Sequence, residues 1–232
     1  MKFEKIALYI STPRIDRYLI AAGGKTKAVR LYKANLRIAQ AFLPLLAILE
    51  VALRNRLHAI LAGHFADPDW VINQKTGFMV HSSLTYTRAG RIIHNHYLKK
   101  EVEKAEMRFR NAGIPITSGK IISEQTFGFW TELFELSYYR ILLGRPIQIF
   151  TNLPPGHGRS QVTDALNKIR LFRNRIYHNE PICFDATAIS FQKAEDIHQL
   201  IKNVLMWCDP ELPGWIKDMD QIDTKIRNAK RI

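Results

Sequence analysis

Cysteine is almost absent from this chain. Its 232 residues include two, Cys183 and Cys208, and neither belongs to a C-x-x-C pair or to a Cys/His spacing that would hold zinc. A disulfide-stapled secreted domain and a zinc module are therefore excluded, and two inert, part-buried thiols in a reducing compartment are expected. Long apolar runs are also scarce. The longest, from Ala41 to Leu53, is interrupted by Pro44 and Glu50, short of the ~20 residues a membrane span needs. The opening MKFEKIALYISTPR has too brief an apolar run for a signal peptide, so a cytoplasmic protein with no membrane contact is expected. Strand-like alternation is nearly missing, and no internal repeat is visible. No G-x-S-x-G occurs, and Gly156-His157-Gly158 lacks the lysine of a phosphate-binding loop. Acidic residues are outnumbered: 21 Asp+Glu face 34 Lys+Arg, a formal net charge of +13. That excess points to a polyanionic partner, most simply nucleic acid, with an unspecialised basic enzyme as the alternative.

What is present suits a globular helical protein. Hydrophobic residues make up 47% of the chain, enough to build a core. The pattern predicts one all-α domain over 1–232, with 65–120 peripheral and a basic tail at 221–232. Helices are expected over 14–20, from Thr26, and over 39–62 with an entry or kink at Pro44. Residues 65–82 read as turns that fold Trp70 and Phe78 back on the core. A charged helix is expected over 83–111, a loop at Pro115 and Ser118-Gly119, and a helix from Ser123 through Phe127, Phe129 and Trp130 to about Leu143. Gly144 to Pro146 stops it, and Leu153 to Gly158 is a linker. Further helices are expected over 160–179 and 186–207.

The 160–179 segment carries the chemistry. At 100° per residue, Val162, Leu166, Ile169, Phe172 and Ile176 form one core-facing stripe. Arg170, Asn174 and His178 follow one another at intervals of four along its flank. Arg173 falls on the border of the stripe, and Arg175 points away. The arginine at 173 and the histidine at 178 suit RNA cleavage. Imidazole can move the 2′-OH proton near neutral pH, and guanidinium is a fixed cation for charge developing on a phosphate. The bland alternative pairs Arg173 with an acidic neighbour and makes His178 a helix C-cap.

Several blocks in order resemble the Abi-like (abortive-infection) proteins of the HEPN superfamily. They are Ile10-Ser11 through Arg14, Tyr18 and Leu19; Leu31-Tyr32 with Asn35; Glu50 through Leu53-Arg54-Asn55 to Leu57; Thr126 through Trp130; and Ile169-Arg170 through Arg173-Asn174, His178 and Glu180-Pro181-Ile182. Together they span about 10–182. The resemblance implies an all-helical HEPN-like bundle with additional peripheral helices. It also implies a homodimer in which two R-x4-H motifs form a composite site. The implied activity is metal-independent endoribonuclease cleavage to 2′,3′-cyclic phosphate and 5′-hydroxyl ends, with no cofactor. The substrate would be tRNA or mRNA, the setting phage defence or a toxin–antitoxin pair with its antitoxin. By the same resemblance His178 is general base or acid, Arg173 stabilises the transition state and Asn174 orients the phosphate or His178. Tyr177 stands where a small residue is common; its hydroxyl could bind phosphate or be buried. Some members of the superfamily do not cut, so a non-catalytic RNA- or protein-binding dimer is the alternative.

Other clusters carry less. Glu50, Arg54 and His58 share a helical face, either as supports of the site or as an intrahelical ladder; R-N-R-L-H there is one residue short of the nuclease spacing. His94 and His96, two apart on an expected helix, would not share a face, which argues against a metal pair. Phe127, Phe129 and Trp130 suit a core better than a base-stacking platform. Lys225, Arg227, Lys230 and Arg231 could bind phosphates or serve solubility.

Overall fold

The structure is a computed structural model that describes residues 2–232, the side chain of Arg88 excepted. It is mostly helical, 68% helix against 5% strand, which bears out the all-α class. In chain order the elements are α1 (Phe3–Ile10), α2 (Thr12–Ala22), α3 (Lys25–Phe65), α4 (Trp70–Asn73), β1 (Thr85–Arg88), β2 (Arg91–His94), α5 (Tyr97–Asn111), α6 (Ser118–Glu124), α7 (Phe127–Glu132), α8 (Leu136–Ile141), α9 (Arg159–Tyr177), β3 (Phe184–Asp185), β4 (Ala188–Ile189), α10 (Gln192–Cys208), α11 (Leu212–Trp215) and α12 (Ile222–Ala229). Two compact units result. The first takes the chain up to Ile48, Lys168–Met206 and Pro210–Ile232; the second takes Leu49–Asn167 and Trp207–Asp209.

In the first unit, α2 ends where Gly23 adopts a left-handed φ of 69° and its N–H returns to the Leu19 carbonyl at 3.0 Å. That conformation costs glycine nothing. Helix α3 then buries Ala28, Leu31, Ala34, Ile38, Phe42 and Leu45, a stripe at spacings of three and four. Phe42 meets Phe172 of α9 with ring centroids 4.9 Å apart. Tyr18 is wedged edge-on against Tyr32 and Phe184. Buried His198 of α10 sits between two carboxylates: Nε2 is 2.6 Å from Asp220 Oδ2 and Nδ1 is 3.0 Å from Asp223 Oδ1. Both ring nitrogens thus engage carboxylates, and His198 ties the start of α12 to α10.

Sequence and structure part at α3. Two helices with a kink at Pro44 were expected; one 41-residue helix runs through Pro44 and past Gly63. Proline forfeits one backbone bond and strains the preceding turn, about 3 kcal/mol, but buried side chains on both sides of it hold the helix together. The continuous helix also exceeds the Ala41–Leu53 estimate of apolar length: an 18-residue window has mean hydropathy 1.8, long and apolar enough to cross a membrane by length and composition. Part of that apolarity belongs to the core, because Leu45, Leu49, Leu53, Leu57 and Leu61 are completely buried.

In the second unit Trp70 and Phe78 are buried, as expected. The Trp70 indole N–H donates to His58 Nδ1 at 3.1 Å, and Phe65 stacks on Phe78. The expected helix over 83–111 is instead a hairpin followed by α5. Strands β1 and β2 pair antiparallel from Thr85↔His94 to Arg88↔Arg91. Their two-residue turn, Ala89 (φ 49°) and Gly90 (φ 74°), is left-handed at both positions, the geometry that matches strand twist. Ser118 and Gly119 open α6 where a loop was expected, and α7 and α8 are separate where one helix was expected. Phe127, Phe129 and Trp130 are core residues. Helix α1 was not anticipated, and the expected start of the last long helix at 186 is displaced to Gln192 by the β3–β4 hairpin.

Candidate active site at the C-terminus of α9

Helix α9 begins at Arg159 and closes at Tyr177, close to the expected 160–179. All five residues of the expected stripe, Val162, Leu166, Ile169, Phe172 and Ile176, are buried. This orientation leaves Arg170, Arg173 and Asn174 half-buried and Tyr177 and His178 exposed.

The helix ends in a complete Schellman motif. Asn179 takes the left-handed conformation, φ 55°, which asparagine tolerates better than most residues. The Glu180 N–H bonds back to the Arg175 carbonyl at 2.8 Å, and the Asn179 N–H to the Ile176 carbonyl at 3.0 Å. Arg175 reinforces the turn from outside. Its Nη2 donates to the Pro181 carbonyl at 2.6 Å, and its Nε lies 3.7 Å from the Glu180 carboxylate. Arg175 thus staples the turn, and is half-buried where an outward direction was expected. One residue further on, the Ile182 N–H donates to the buried Asn35 Oδ1 at 2.8 Å. The chain after the helix is therefore tied down at three consecutive residues.

His178 is the cap residue of this motif. Its own N–H donates to the Asn174 carbonyl at 2.9 Å, the last helical bond, so Asn174 and His178 remain one turn apart on one flank. The last carbonyls of α9 are occupied by backbone amides, so termination does not need the imidazole. Among the described residues, the side chains of Asn174 and His178 have no hydrogen-bond or ion-pair partner. The Arg173 guanidinium lies over the Tyr177 ring, 4.3 Å from its centroid. Such stacking restrains the orientation of the planar cation. Tyr177 is 56% exposed, so the buried alternative for it does not hold.

The first unit by itself thus assembles Arg170, Arg173, Asn174, Tyr177 and His178. Glu50 and Arg54, read as supports, lie on α3 in the second unit; Arg54 Nε is 3.5 Å from Asn55 Oδ1, and His58 of the same ladder is committed to Trp70. His94 and His96 are not within a helix: His94 ends β2, His96 stands at the N-cap position of α5, and their rings approach to 5.4 Å. Burial, then the nearby His94, holds His96 below its ordinary pKa. Among the described residues no group of three or more His, Cys, Asp or Glu side chains is placed to hold a metal ion. Burial pushes the thiols of Cys183 and Cys208 up to about 12.

Sequence reasoning missed the mechanical parts, Asn35 and Arg175. The signal for Arg175 was present: a left-handed-tolerant asparagine followed by Glu-Pro is a helix stop with a partner for a cation one turn back. No protein-family model, curated protein or solved structure matches the chain.

Proposed function

We propose that the protein is a metal-independent endoribonuclease of the Abi-like HEPN type, a cytoplasmic toxin of phage defence. The observation that carries this reading is the division of labour in the Arg173–Ile182 box. Arg175, Asn179, Glu180 and Ile182 are occupied in building and anchoring a turn. Asn174 and His178 are held in place by that turn, yet their side chains serve no bond within the fold. Side chains left available on a firmly held backbone are what a preorganised site starts from.

In the proposed reaction an imidazole, neutral at the start, takes the proton of a ribose 2′-OH. The 2′-oxygen attacks the adjacent phosphorus, and the bond to the 5′-oxygen breaks. That oxygen leaves with a proton from a second acid, giving a 2′,3′-cyclic phosphate and a 5′-hydroxyl. Arg173, oriented by Tyr177, stabilises the charge on the non-bridging phosphate oxygens, and Asn174 donates to phosphate beside it. Arg170 adds positive potential on the same flank. One R-x4-H box supplies one imidazole, so a homodimer with a composite site provides the base and the acid together.

A second reading, an RNA- or protein-binding HEPN-like dimer that does not cut, draws on the +13 charge, which serves binding as well as cleavage. The two separate on purified protein in EDTA with structured and tRNA-like RNAs. Cleavage that disappears in His178→Ala supports the nuclease. RNA binding without cleavage, equal in both proteins, supports the binding module.

A further inference from the structure

The basic tail does not act as one unit. Lys230 of that tail pairs with Glu195 at 2.6 Å, whereas Lys225 lines a cleft of about 480 Å³ between the N-terminal part of α3 and α12. Three more cations, Arg30, Lys33 and Arg37, line the same cleft, with Asn228 and Ile232 on its other side and no acidic residue in its wall. Among the described residues none of the four cations has a hydrogen-bond or ion-pair partner. By contrast Lys25, at the start of the same helix, meets Glu4. Four uncompensated charges around one concavity repel one another, and that cost is recovered when an anion enters.

Their arrangement specifies the kind of anion. Positions 30, 33 and 37 lie on one face of α3 and are strung over about 10 Å of helix rise, and Lys225 stands across from them. All but Lys225 are exposed. A site for a small phosphorylated molecule gathers buried donors on one point. A row of exposed cations along a groove instead follows a chain of phosphates. The cleft floor is made by buried Ala34 and Ala229, small side chains that leave room for a backbone to lie close.

We infer that the α3–α12 cleft binds the phosphodiester backbone of a single nucleic-acid strand through Arg30, Lys33, Arg37 and Lys225. The inference does not depend on the cleavage reading, because backbone recognition needs no 2′-hydroxyl.

The test uses the full chain and fluorescent single-stranded DNA of mixed sequence, which 2′-OH chemistry cannot cut, with affinity measured over a range of salt. Arg30→Ala/Arg37→Ala/Lys225→Ala is compared with Lys5→Ala/Lys193→Ala/Lys217→Ala, which removes the same charge from exposed positions of the same unit. The cleft variant is expected to lose about tenfold or more in affinity, and its log–log salt dependence to flatten by about 2, since each strand phosphate contributes about 0.7. The control triple is expected to stay close to the parent. Equal losses in both triples would reduce the effect to net charge and overturn the inference, as would an unchanged cleft variant. A mononucleotide that competes as well as the strand would also overturn it, in favour of a small-ligand site. RNA cleavage lost in His178→Ala with DNA binding unaltered would separate this cleft from the catalytic residues.

Discussion

The amide side chain of Asn35 accepts the backbone N–H of Ile182 at 2.8 Å, joining residues 147 positions apart. Asn35 is buried, so the bond replaces water that neither group can reach. Through it, helix α3 fixes the chain four residues beyond His178, while the Schellman turn fixes the residues between. The backbone at His178 is thus held both by its helix and by the chain that follows.

Removing the acceptor should loosen that hold. Asn35→Ala leaves the Ile182 N–H buried and unsatisfied, a cost of about 1–3 kcal/mol. The expected outcome is a lower melting temperature together with faster amide exchange over 178–184. Hydrogen exchange read by mass spectrometry checks it; exchange there at the parent rate would show that the turn holds without Asn35.

Asn179 offers a test of the turn itself. With φ at 55°, Asn179→Gly should match the parent or exceed it by up to about 1 kcal/mol, because glycine carries no Cβ penalty there. Asn179→Val should lose about 1–2 kcal/mol, the left-handed penalty being largest for branched side chains. Urea unfolding of the two variants gives the order directly.

For the catalytic assignment, Arg173→Lys is more informative than alanine. Lysine keeps the charge but loses the planar stack on Tyr177 and the forked donors. RNA cleavage should fall by about 10²–10³, the usual loss when a transition-state donor is displaced. His178→Ala should cost about 10²–10⁴ in rate and, being an exposed site, change stability by no more than about 0.5 kcal/mol. Single-turnover rates beside thermal melts separate the two effects.

The buried cysteines give a pH prediction. Their folded thiols ionise at about 12, above the ordinary 9.0. Neither should react with an alkylating reagent near pH 8 in the native state, and both should react once unfolded. A raised thiol pKa favours the folded state below the unfolded value. That contribution should therefore decline as pH rises from about 9 towards 12. Counting labelled thiols by mass and following urea midpoints across that range checks both statements.

The parts of the fold that were legible in advance are those set by local periodicity. The α9 stripe from Val162 to Ile176 was readable because one helical face repeats apolar residues, and the position of His178 beside Asn174 follows from the same geometry. The β1–β2 hairpin was misread because the arginines and histidines around it imitate a charged helix face. Thr85-Tyr86-Thr87 and Ile92-Ile93 flanking Ala89-Gly90 were the strand signal. Pro44 was overweighted, since a local rule could not include the buried leucines on both sides of it. The Asn35–Ile182 bond and the His198 clamp on Asp220 and Asp223 join distant segments, so no local pattern in the sequence marks them. The cation cleft has the same origin, because Lys225 meets Arg30, Lys33 and Arg37 only after α12 has packed.

The central claim is that His178 and its neighbours act on a ribose 2′-hydroxyl. The most direct measurement takes an RNA cut by the purified protein in EDTA, maps the ends, and repeats the reaction with a single 2′-deoxy substitution on the 5′ side of the scissile bond. The account predicts a 2′,3′-cyclic phosphate on the first substrate and no cleavage at that bond on the second. Undiminished cleavage of the deoxy substrate, or a 5′-phosphate product, would contradict it.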